Sequence, residues 1–122
     1  MLLAATLALW PACASAQSLV QGRLEVPGYG DASYVRPRRS APRPVVVLLH
    51  SAADRPEWMC KHWGPVVGRR GWMLCPRGVR RTDVPAEKDR WTHGSKAATL
   101  AEIRAGLAAL RRRFGGRVDT GG

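Results

Sequence analysis

Acidic side chains are scarce: 9 Asp and Glu stand against 20 Lys and Arg, leaving a formal net charge of +11 over 122 residues. Lysine is scarcer still, since arginine supplies 17 of those 20 cations. Such a balance can mark a nucleic-acid or anionic-membrane partner. Two supporting features are missing. The arginines are spread from Arg23 to Arg117 rather than massed in one segment, and the nearby aromatics form no base-stacking ladder. A solvated, arginine-preferring surface accounts for the charge, so no nucleic-acid partner is expected. No apolar run approaches the length of a bilayer span. There is no G-x-G-x-x-G, no phosphate-cradling glycine loop and no internal repeat, which removes dinucleotide-binding, P-loop and solenoid classes. No cofactor is expected.

What is present begins with "MLLAATLALW", an apolar stretch of signal-peptide length followed by the small residues "ASA" at 14–16. This pattern predicts a signal peptide over residues 1–16, cleaved before Gln17, and a secreted or periplasmic protein with no stable membrane anchor. The usual basic residues before the apolar run are absent, placing the true start upstream or making the signal a weak one. A second reading makes Cys13 a lipid-modified cysteine, although Trp10 and Pro11 fit poorly before such a site. After cleavage two cysteines remain, Cys60 and Cys75. In an oxidising compartment they are expected to pair, adding about 3 kcal/mol by restricting the unfolded chain. Without export, two reduced core cysteines are the better reading.

Residues 22–26 and 32–36 alternate polar and apolar around "PGYGD", whose proline and glycines suit a turn, so the segment predicts an antiparallel hairpin. A stiff proline- and arginine-rich connector follows at 37–44. The run "VVVLL" at 45–49 reads as a strand buried on both faces. Asp54 and Glu57 have the spacing of a capping box, and Pro56 suits a first helical turn. A helix is therefore expected from about Arg55, carrying Trp58 and Cys60 inward, kinked or restarted at Gly64-Pro65 and closed by Gly71. "WMLC" at 72–75 is a second apolar strand, stopped by Pro76. Residues 77–94 read as irregular, with Trp91 as their anchor. Leu100, Ile103, Leu107, Leu110 and Phe114 then step by three and four, giving a helix with one apolar stripe. Ser95 can cap it, and Gly115 can end it. A further strand is expected to start at Arg117-Val118. Alternating strands and helices after a hairpin predict an α/β fold with parallel βαβα units.

The segments "PVVVLLHSAADRPEWMC", "GWMLCPRG" and "AEIRAGLAALRRRFGGRVDTGG" resemble the N-terminal part of secreted α/β-hydrolases of the carboxylesterase and dienelactone-hydrolase type, over residues 22–122. The resemblance implies a partial α/β-hydrolase sheet, with 17–122 forming an incomplete domain. It also implies an oxyanion-hole loop after the buried strand, with Ser51 and Ala52 giving backbone donors and His50 shaping the loop through its ring. Ser51 replaces the usual glycine, a change that matters if the position needs positive φ. No G-x-S-x-G occurs in the chain, and in that family the catalytic acid and histidine also follow the nucleophile. No triad residue can be assigned. The expected function is that of the opening portion of an exported serine hydrolase, inactive alone, whose whole form would act on a small-molecule ester or acyl substrate. The alternative is a small exported basic protein binding anionic polymers or nucleic acid. Oligomeric state is not legible.

Other residues read more plainly. Ser51 lacks elbow glycines and an adjacent base, so it is not expected to be a nucleophile. Cys60 and His62 are two apart and do not share a helix face, which argues against a metal site. His93 is expected in solvent, and Trp58, Trp63, Trp72 and Trp91 are expected to close a small core.

Overall fold

The computed structural model describes residues 19–38 and 41–121. The expected signal peptide, its cleavage point and Cys13 lie outside the described residues. The elements run β1 (Val20–Leu24), β2 (Ala32–Arg36), β3 (Arg43–Val47), α1 (Pro56–Val67), β4 (Trp72–Cys75), β5 (Val79–Arg80), β6 (Trp91–Thr92), α2 (Lys96–Phe114) and β7 (Val118–Asp119). The fold is of mixed α/β type. Five strands form one sheet in the order β1-β2-β4-β3-β7, and β5 and β6 form a separate antiparallel ribbon. β1 and β2 make the expected hairpin, with Gly22 opposite Tyr34. β2 also runs antiparallel to β4, whereas β3 is parallel to both β4 and β7. A crossover through α1 joins the parallel pair β3 and β4, as the alternation of elements requires.

The two helices cover opposite faces. On the α2 side Trp72 and Leu74 of β4 join Leu24, Tyr34, Leu110 and Val118 in one cluster. On the α1 side Met73 and Cys75 meet Val35 and Cys60 in the other. Successive β4 side chains thus serve opposite cores, and all four are buried. The Cys60–Cys75 disulfide ties α1 to the end of β4 across a Cα–Cα distance of 6.1 Å.

Several expectations need correction. β3 occupies residues 43–47 rather than 45–49 and is not buried on both faces: Val46 and the following Leu49 are each 41 % exposed. β4 takes the central place because it lies between β2 and β3 with a helix on each side. β7 pairs only with Arg43 and Pro44, leaving the rest of that β3 edge uncovered. α1 starts at Pro56, but no capping box forms. The Asp54 carboxylate accepts from the adjacent Arg55 N–H (2.8 Å), and Glu57 turns to Arg77 instead. The helix also runs through Gly64-Pro65 to Val67. Pro65 lies in the last turn, where its missing donor interrupts only one bond. Trp58 and Trp63 point outward, 43 % and 44 % exposed, and among the four tryptophans expected in a core only Trp72 is buried.

α2 spans the expected region, and the Ser95 hydroxyl accepts from the Ala98 N–H at 3.1 Å. Its buried face, however, is Glu102, Gly106, Ala109 and Leu110, with Leu100 42 % exposed. Small residues let the helix approach the sheet closely. A Cβ added at Gly106 would lie 3.0 Å from Leu74 Cδ2. Large side chains consequently flank the contact instead of forming it. Finally, 77–94 is not wholly irregular, since Val79 pairs with Thr92 and Arg80 with Trp91.

Candidate functional site

β3 and β4 are parallel, so the chain leaves both at one end of the sheet, where open α/β sheets place their crevices. The segment after β3 is held down before it turns: the Leu48 N–H donates to the Leu74 carbonyl at 2.9 Å. His50 follows, 4 % exposed. Its Nδ1 lies 2.9 Å from the Ser51 carbonyl and its Nε2 lies 2.6 Å from the Arg77 carbonyl. A neutral imidazole carries one N–H and can donate to only one of these oxygens; the doubly protonated ring donates to both. In either form the ring is occupied by backbone, and neither of its nitrogens bonds the Ser51 hydroxyl.

Ser51, Ala52 and Ala53 are exposed. Their amides donate to no acceptor among the described residues, while the Asp54 N–H returns to the Ser51 carbonyl at 3.2 Å and closes the turn. The positive φ in this bend falls on Ala53 (61°), not on Ser51, so the serine in place of glycine imposes no left-handed strain at its own position. The bend is pinned at its far side by the Trp91 N–H, which donates to the Asp54 carbonyl at 2.9 Å.

The residue that organises this end of the sheet is Arg77, 3 % exposed. Its Nε donates to the Asp31 carbonyl at 2.5 Å and its Nη2 to the Glu57 carboxylate, while its guanidinium lies 5.1 Å from the Trp91 ring centroid. One side chain therefore joins the hairpin turn, α1 and the β6 ribbon, and its own carbonyl receives His50. The next residue, Gly78, sits at φ 85° and donates its N–H to the buried Glu102 carboxylate at 2.8 Å. A side chain at Gly78 would run into the Thr92 carbonyl.

His93 is half-buried, which corrects its expected exposure, and its ring centroid lies 4.3 Å from that of His50. Its Nε2 is buried without a hydrogen-bond partner, as are Arg55 Nε and Arg90 Nη1. Desolvation, reinforced by the neighbouring His50, holds its pKa below the ordinary imidazole value. Asp89 is shifted downward, chiefly by the Trp91 indole N–H at 2.7 Å, with the Arg77 and Arg55 charges assisting against desolvation. Arg55 and Arg90 flank the Trp58 ring at 4.2 and 4.7 Å.

The structure thus gathers His50, Ser51 and Ala52 in one bend, with Cys60 and Cys75 bracing the elements beneath it. Sequence reasoning did not assign Arg77, Glu102 or His93 a place here. "CPRG" was the available signal for Arg77, because a proline and a glycine flank the arginine where a strand stops. Nothing in the sequence marked Glu102. The arrangement offers fixed, unpaired amide donors above the sheet and no nucleophile–base pair. Among the described residues no cluster of three or more His, Cys, Asp or Glu could hold a metal ion, and no helix is long and apolar enough to cross a membrane. Family models, curated proteins and solved structures were compared with the chain, and none matches.

Proposed function

We propose that the chain forms the oxyanion-stabilising side of an exported serine-hydrolase-like α/β domain acting on esters or related acyl compounds. The observation that carries this reading is the bend at 50–53. It leaves the carboxyl end of the parallel strand β3, exposes three unpaired amides and is fixed from below by a histidine ring on two carbonyls. Negative charge developing on a tetrahedral intermediate is stabilised by donors that need no reorganisation, and in α/β-hydrolases one such donor comes from the loop between the third strand and the first helix. Here the corresponding donors are the Ser51 and Ala52 amides, and His50 acts through the loop rather than as a proton carrier. β7 adds support. It lies parallel to β3 on the free side, so a strand continuing past Asp119 would run along β3 toward the bend.

On this reading the triad belongs to chain that follows Asp119, and the described residues alone do not hydrolyse esters. Translating the genomic DNA beyond the Gly122 codon in all frames should reveal a G-x-S-x-G within about 20 residues. Unrelated sequence in every frame would overturn the proposal. A complementary test is an amide NMR titration with a soluble phosphonate monoanion, which should move the Ser51 and Ala52 resonances first. Shifts confined to arginine-rich surface elsewhere would favour the alternative, a basic polymer-binding protein.

A further inference from the structure

α1 and the turn after it carry a single carboxylate, that of Glu57 in the first turn. Trp63 and Val66 stand 44 % and 64 % exposed, and Arg69 and Arg70 are exposed beside them. The helix's one acid, Glu57, is tied to Arg77. Beside Val66 a groove of about 520 Å³ opens between the helix and the uncovered face of β3, lined by Val46, Val66, Val67 and Gly71 and by Arg69 and Arg70 themselves. Single exposed apolar residues are ordinary, but here a tryptophan, a valine and an apolar groove are continuous within a cationic surround. Such a surface matches a partner that is apolar in its interior and anionic where the two regions meet.

We propose that this face docks on an anionic phospholipid surface. Trp63 and Val66 enter the boundary between headgroups and acyl chains, the groove accepts part of an acyl chain, and Arg69 and Arg70 meet the phosphates. Tryptophan favours that boundary because its ring is apolar and its N–H is polar. Long cationic side chains reach headgroups while their stems stay in apolar surroundings. The helix need not span anything, since an amphipathic helix lying in the interface suffices. Trp63 offers one flat π face, but the groove beside Val66 is lined by no aromatic ring on which a further base could stack, which favours lipid over nucleic acid. This inference does not rest on the hydrolase reading.

The test is co-sedimentation of the whole chain with vesicles of phosphatidylcholine alone and with vesicles one-quarter phosphatidylglycerol, at physiological ionic strength. Binding is expected only to the second, with a blue shift of tryptophan emission. Arg69→Gln with Arg70→Gln should lower partitioning roughly 30-fold. Trp63→Ser with Val66→Ser, which leaves the charge unchanged, should lower it by at least about ten-fold. The control, Arg111→Gln with Arg112→Gln, removes equal charge from the end of α2 and should change it less than about three-fold. Circular dichroism verifies the fold of each variant. Equal losses from both arginine pairs, or no loss from the Trp63 and Val66 pair, would overturn the proposal in favour of net charge alone. Tighter capture of a single-stranded oligonucleotide, abolished by the Arg69 and Arg70 changes, would overturn it in favour of nucleic acid.

Discussion

Replacing Glu57 with Gln tests whether the Arg77 junction holds the end of the sheet together. The pair is lopsided: the Arg77 side chain is 3 % exposed, and that of Glu57 is 37 % exposed. Breaking a fully buried ion pair costs about 3–5 kcal/mol, because the abandoned charge stays desolvated. Breaking an exposed pair costs about 0–1 kcal/mol. Water can reach the Glu57 side, and Arg77 keeps its bond to the Asp31 carbonyl and its place over Trp91. The expected loss for Glu57→Gln is therefore intermediate, about 1–2 kcal/mol. Arg77→Met should cost more, about 2–3 kcal/mol, since it also orphans the Asp31 carbonyl. The double variant should show a coupling of about 1–2 kcal/mol, as touching groups do. Urea denaturation followed by tryptophan fluorescence measures all four proteins. A Glu57→Gln midpoint equal to that of the parent, or additive losses in the double variant, would refute the reasoning.

The remaining expectations concern the same region. His93 has a folded-state pKa below its ordinary value, so the unfolded chain takes up its proton first. Stability from this group is complete above about pH 6.5 and declines as pH falls below it toward the folded value, by at most about 1.4 kcal/mol per pH unit. Urea midpoints at stepped pH should show the decline in the parent, and His93→Asn should remove it; an unchanged profile would contradict the buried, partnerless ring. Reducing Cys60–Cys75, which are 15 residues apart, should cost about 3 kcal/mol, and thiol counting in denaturant should find no free thiol at these positions beforehand. Ala53→Gly relieves a left-handed φ and should be neutral or stabilising by up to about 1 kcal/mol. Ser51→Gly only loosens the unfolded chain and should destabilise by about 0.4–1 kcal/mol, so the reverse order in thermal melts would place the strain elsewhere.

Local features were legible in the sequence because local chemistry decides them. The hairpin follows from alternation around a Pro–Gly turn, and the start of α2 follows from a serine whose hydroxyl meets an amide three residues on. Burial was less legible. "VVVLL" is the more aliphatic strand, yet "WMLC" lies at the centre, because position in a sheet depends on which strands flank it. The predicted stripe of α2 counted leucines, whereas the contact with Leu74 runs through Gly106, where having little side chain is the asset. Asp54 and Glu57 had the spacing of a cap, but Glu57 met a guanidinium 20 residues away whose burial leaves it a stronger claim on a carboxylate than a helix amide has. Trp58 and Trp63 show the converse, since apolar identity does not compel burial.

These distant contacts bear on whether the bend at 50–53 is only a surface loop. Three links converge on the end of β4 and the residues just after it: the disulfide at Cys75, the ion pair of Arg77 with Glu57, and the Arg77 carbonyl against His50. The first two fix α1, through Cys60 and Glu57, and the third holds the bend itself at the buried His50, so the bend cannot move without breaking a buried contact. A loop needing only to connect a strand to a helix gains little from such bracing, and its amides would be as well served by turning inward to carbonyls. Here the backbone is held while the donors are left to water. Water is a mobile acceptor, and a fixed anionic oxygen can displace it at little cost in protein reorganisation. Rigidity combined with unpaired donors thus favours a binding role for the bend. Amide exchange can separate the two cases: fast exchange at residues 51–53 beside slow exchange at Leu48 and Asp54 fits a braced donor array, whereas fast exchange across 48–54 fits a plain loop.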